Sequence, residues 1–124
     1  MRALLLALVI ALLPSTSNAL EVFACEPEWG SLVNELAGDR ANVTVATTAF
    51  QDPHRLQAKP SLIAAIRDAD LVVCTGADLE IGWLPLLLRR GGNATVFMAA
   101  DHVRKLEIPK VLDRTQGDIH PQGH

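Results

Sequence analysis

Several common enzyme signatures are missing from this chain: it has no Gly-x-Ser-x-Gly elbow, no phosphate-cradling glycine loop and no His-Glu-x-x-His helix. Excess positive charge is missing too. Eleven Lys and Arg stand against 14 Asp and Glu, a net charge of −3, so nothing draws the chain to nucleic acid or to an acidic membrane. There are no internal repeats and no low-complexity linkers. The longest apolar run, Ala3 to Leu13, falls well short of the roughly 20 residues that span a bilayer. Cysteine is scarce, at 2 residues.

That apolar run is nevertheless informative. Met1-Arg2 precedes it, Pro14 to Ala19 follows it, and Ser17 and Ala19 are the small residues of a cleavage site. Residues 1–19 therefore read as a secretory signal peptide, cut after Ala19. The remaining Leu20 to His124 suffices for one small domain and leaves no room for a second. In an exported chain Cys25 and Cys74 meet oxidising conditions. A disulfide between them would close a loop worth about 4 kcal/mol in the chain-entropy model. Two inert buried thiols, or a thiolate site for zinc shared with His54, are the other readings of the pair.

The apolar pattern alternates between strand and helix. Leu20 to Ala24 reads as a strand, and Glu28 to Ala37 as a helix with Trp29, Leu32, Val33 and Leu36 facing a core and Gly38 stopping it. Asn42 to Thr47 is rich in β-branched residues and reads as a second strand. Ser61 is an expected N-cap for a helix to about Asp68. Leu71 to Cys74 is a third strand. Leu79 to Arg90 is a helix whose regular part is expected from about Gly82, because Pro85 is tolerated only near its start. Ala94 to Met98 is a fourth strand, and the rest reads mostly as loop. This order predicts an α/β fold: an open parallel β-sheet with helices on both faces, in which strands one and three flank each other in a 2-1-3 arrangement. Ligands of such sheets sit beyond the carboxyl ends of the strands. His54 follows strand two, and Cys74 ends strand three.

The segment Gln51-Asp52-Pro53-His54 is the strongest chemical signal. Pro53 has a fixed φ and pushes Asp52 out of the helical region, so His54 is expected on an extended, stiff segment. Neutral imidazole is a common ligand for zinc and similar ions, and a carboxylate such as Asp52 is the usual partner of its second nitrogen. A second histidine-bearing loop, Gly117 to His124, contains His120 and His124. His102 has no such setting and reads as a surface residue.

Asp52-Pro53-His54, then Pro60-Ser61, Ala69-Asp70-Leu71, Gly76 and Leu79-Glu80 with Trp83 just after, together resemble the solute-binding proteins of zinc and manganese ABC importers. The resemblance runs from about Leu20 to the last residue. It implies a periplasmic receptor, exported and not membrane-inserted after cleavage, with two α/β lobes joined by a long helix and a metal held between them. Residues 20–124 would be its N-terminal lobe. His54 then matches the first-lobe ligand, and His120 and His124 belong to the ligand-bearing loop of a zinc-type subgroup. Many relatives have one residue between the Glu and the Trp, where this chain has Ile81-Gly82. In that subgroup a further Pro-His step supplies the second ligand, whereas this sequence stops at His124, so a shortened product is also expected. The implied work is capture of an ion and delivery to a membrane permease, not catalysis. Imidazole donors favour zinc over manganese.

Overall fold

The computed structural model describes residues 18–105. The signal-peptide reading of residues 1–19 lies outside them except for Asn18 and Ala19, and His120 and His124 lie outside them as well. Four strands form one parallel sheet: β1 (Leu20–Ala24), β2 (Ala41–Val45), β3 (Leu71–Cys74) and β4 (Thr95–Met98), in the order β2-β1-β3-β4. β1 therefore lies at the centre, in register with β2 through Val22↔Val43 and with β3 through Phe23↔Val72. β3 carries β4 on its far side through Val73↔Phe97. Three helices make the crossovers: α1 (Pro27–Ala37), α2 (Pro60–Asp68) and α3 (Leu84–Arg90).

Side chains alternate across a strand, and this splits the core in two. Phe23, Cys25, Val72 and Cys74 join Leu62 and Ile66 of α2, and Leu84 and Leu87 of α3. Val22 and Val73, one residue out of step, face Trp29, Val33 and Ala37 of α1. Helices thus cover both faces, as the α/β pattern requires. Each fully buried side chain of the larger cluster is worth about 1.5–3 kcal/mol of transfer energy. Phe23, Val72 and Leu87 are all completely covered.

Some expectations change. α1 begins at Pro27 and ends at Gly38, whose φ of +52° suits glycine. Its apolar stripe is only half used: Trp29 and Val33 pack inward, but Leu32 and Leu36 are exposed, Leu36 at 69%. The N-cap of α2 is Lys59, not Ser61, because Pro60 occupies the first turn, where its missing N–H costs nothing. The third helix starts later than its leucine pattern suggests. Ala77 and Asp78 take positive φ values of 51° and 68°, and the chain runs through turns until Leu84, so the helix keeps only seven residues. Pro85 falls in its first turn, as expected.

Candidate metal centre

The parallel topology brings all four chain exits to one rim, and those of β1, β2 and β3 build the site. After β2 the ladder continues briefly, with Ala46 N–H donating to Ala24 O at 2.8 Å and Thr47 N–H to Cys25 O at 3.1 Å. The Thr47 hydroxyl also donates to Cys25 O, at 2.8 Å. A turn then closes, Gln51 N–H to Thr48 O at 3.0 Å, and leads into Asp52. Asp52 has the extended backbone expected before proline, with φ −71° and ψ 113°. Pro53–Arg55, however, form a short 3-10 turn, so His54 is presented by a turn and not by the expected extended segment. The fixed φ of Pro53 suits the first position of such a turn, and the Asp52 carboxylate caps it.

Asp52 Oδ1 accepts two hydrogen bonds from one residue: His54 N–H at 3.0 Å and ring Nδ1 at 2.9 Å. Those contacts, ring first, hold the Asp52 carboxyl below its ordinary pKa, and the Arg55 guanidinium at 3.6 Å adds a smaller push. The ring turns Nδ1 toward its carboxylate partner, the arrangement in which an ion would take Nε2. The His54 side chain is 32% exposed, and Nε2 itself is covered from solvent. The ring therefore does not simply protrude from the rim.

The turns between β3 and α3 meet this loop from the core side. The fully buried Trp83 sends its indole N–H to Pro53 O at 2.7 Å. Glu80, also buried, accepts Thr75 N–H at 2.8 Å and Gly76 N–H at 3.0 Å, closing the chain where it leaves β3.

Beside Glu80 lies Glu26, only 3% exposed, at the exit of β1. Its Oε2 accepts the Thr75 hydroxyl at 3.1 Å, and that hydroxyl in turn accepts the Trp29 indole N–H at 2.8 Å. Burial, and next the negative charge of Glu80, push the Glu26 pKa up to about 8. Glu26 thus keeps its proton at neutral pH, with Glu80 as its side-chain partner.

Cys25 and Cys74 are joined as a disulfide bridging the ends of β1 and β3. Of the three readings of the cysteines, the inert thiols and the thiolate site with His54 are therefore corrected: neighbouring parallel strands bring the two sulfurs together. The sulfurs and a Glu80 oxygen lie within 4.8 Å of one another, but bonded sulfurs are not thiolate donors and His54 is not part of the group. His102 is on the surface, stacked on Phe97 with ring centroids 4.7 Å apart.

In the sequence Trp83 and Glu80 are spaced markers and nothing more, and Glu26 belongs to no motif. A charged residue immediately after a buried strand, just before a helix-starting proline, was its one signal.

Comparison with known proteins supplies the rest. The family model described as the periplasmic zinc-uptake complex component A, ZnuA, matches residues 22–124. A high-affinity zinc uptake system protein ZnuA from Paracoccus denitrificans is 33% identical over 78 residues, 63% of this chain and 24% of that relative. The manganese ABC transporter substrate-binding lipoprotein PsaA of Streptococcus pneumoniae is 28% identical over 112 residues, 86% of this chain and 36% of its own length. Among solved structures, a crystal structure of ZnuA superposes with a TM-score of 0.66 at 27% identity, covering 73% of this chain and 35% of that one. A manganese-bound periplasmic metal-binding protein from Candidatus Liberibacter asiaticus shares the fold at a TM-score of 0.67 and 20% identity, covering 87% of this chain and 38% of its own. The chain thus spans about a quarter to a third of the curated relatives' length.

Proposed function

The chain belongs to the family of the periplasmic zinc-uptake component A, and from that membership we propose that residues 20–124 form the first lobe of a receptor that captures zinc outside the cytoplasm for an ABC importer. His54 is its metal ligand through Nε2, oriented by Asp52. His120 and His124 belong to a second ligand-bearing loop, and residues 1–19 are the export signal. The partner is the importer's membrane permease, and the work is capture and delivery without chemistry on the cargo.

One observation carries this reading: a histidine at the carboxyl rim of a parallel sheet, its Nδ1 and its backbone N–H both held by one carboxylate. Such a carboxylate–histidine pair fixes the ring's tautomer and raises its basicity as a ligand. The names of the relatives are divided between zinc and manganese. Zinc is favoured here because the donors assigned to this lobe are imidazoles, and manganese prefers oxygen.

A four-coordinate zinc needs four donors, so this chain alone is expected to bind weakly. Zinc titration calorimetry on residues 20–124 should give a dissociation constant weaker than about 1 μM, with binding lost in His54→Ala. Tight one-to-one binding that survives His54→Ala would overturn the assignment.

A further inference from the structure

We propose that Trp83 is the positioning residue for His54, fixing the imidazole relative to the sheet through the peptide group that joins Pro53 to His54. The proposal rests on the reading of His54 as a ligand. That peptide group is held at both ends. Its oxygen, Pro53 O, accepts the Trp83 indole N–H at 2.7 Å, and its nitrogen, His54 N–H, donates to Asp52 Oδ1 at 3.0 Å. A peptide unit is planar, so these two bonds set the plane from which the His54 side chain departs. Asp52 then sets the ring's rotation through Nδ1.

The next peptide is crowded from the same side. A Cβ on Gly82 would stand 2.9 Å from His54 O, so the turn carrying Trp83 lies directly against both peptide groups flanking the histidine.

What Trp83 is attached to gives the contact its value. Its side chain is 1% exposed, in the cluster with Phe23, Leu62 and Ile66. Its turn is tied by Trp83 N–H to Glu80 O at 3.1 Å, and the Glu80 carboxylate holds the amides at the end of β3. A buried indole N–H without an acceptor is costly, so the bond persists as long as the core does. Asp52, by contrast, belongs to the same exposed loop as His54 and can hold the ring only relative to that loop. Trp83 refers the ligand to the sheet. A ligand pre-placed in this way loses less freedom when an ion arrives.

The test uses zinc as the probe and Trp83→Phe, which retains an apolar ring and removes the donor. Zinc affinity should fall about tenfold, the lower end for loss of an outer contact to a metal ligand. Without metal, acylation of His54 by diethylpyrocarbonate, followed by peptide mass mapping, should quicken severalfold. A folded Trp83→Phe chain with unchanged affinity and unchanged acylation overturns the proposal.

If His54→Ala leaves zinc affinity intact, the ligand reading fails, and the acylation rate still decides the positioning role. Should Trp83→Phe not unfold cooperatively, Gly82→Ala displaces the Trp83 turn from the His54 loop by crowding His54 O, and acylation should quicken likewise. In the unsubstituted chain, the Trp83 indole proton should exchange with solvent as slowly as the amides of β1 and β3. Rapid exchange would also overturn the proposal.

Discussion

The interior at the ends of β1 and β3 and the loop that carries His54 stand side by side and are built on opposite principles. The interior is cross-linked and over-determined: a disulfide, two neighbouring buried carboxyl groups, and a threonine that both donates and accepts. The loop is half exposed and is held largely by hydrogen bonds among its own residues, Asp52 accepting two from His54. The difference shows how a site can be both precise and open. The strand ends provide rigidity that does not depend on a ligand, and the histidine takes its position from them through the Trp83 indole.

The largest effect should come from removing the cross-link. The Cys25–Cys74 bridge closes a loop across a sequence separation of 49, for which the chain-entropy model gives about 4 kcal/mol. The double variant Cys25→Ala with Cys74→Ala should therefore lose stability of that order in urea unfolding. Both sulfurs are fully buried in the main cluster, so some of the loss is packing, and the intact protein exposed to a phosphine reductant separates the two contributions. A loss below about 1 kcal/mol would put the rigidity of the strand ends elsewhere than in the bridge.

Next comes the proton on Glu26. An unfolded Glu26 releases its proton near the ordinary value of 4.5, whereas the folded one holds it to about 8. Between those values the native state binds the extra proton, so the contribution of Glu26 is complete below about pH 4.5 and is lost as pH rises toward 8. The slope is at most about 1.4 kcal/mol per pH unit. Glu26→Gln, which imitates the protonated form, should flatten urea-unfolding stability across that window. If the variant keeps the parent's slope, Glu26 does not hold the extra proton and the interior is less over-determined than its hydrogen bonds suggest.

How much of this was legible beforehand follows the same division. The strands are legible nearly to the residue, Leu71 to Cys74 at both ends, because a buried parallel strand is a short apolar run between turn signals. The placement of β1 between β2 and β3 follows the strand order common to doubly wound sheets. Helix starts were read less well. Ser61 lost the cap to Lys59 because Pro60 set the first turn, and Ala77 and Asp78 in positive φ delayed α3 beyond its leucine pattern. In the site, His54 and its partner Asp52 were legible because they are two residues apart. Trp83 was not, since its bond to Pro53 spans 30 residues and no local period encodes it. Glu26 and Glu80 meet only once the sheet has formed.

The smallest effect on stability, and the sharpest test of the contrast, belongs to Asp52→Ala. Asp52 is exposed, and among the described residues its side-chain contacts are with His54 and Arg55 of its own loop. Its removal should leave the melting temperature within the scatter of ordinary surface substitutions. The His54 ring, however, would lose the acceptor on Nδ1, while the peptide behind it stays tied to Trp83 at Pro53 O. Ring orientation should therefore loosen while backbone position is kept: His54 acylation should quicken, and the Trp83 indole proton should remain as protected as in the parent. The Trp83→Phe variant should show the same quickening together with a loosened Pro53–His54 backbone, seen as faster exchange of the His54 amide. If Asp52→Ala frees the indole proton as well, the loop is held by its own carboxylate and the interior lends it nothing, and the contrast between the two regions collapses into a single cooperative unit.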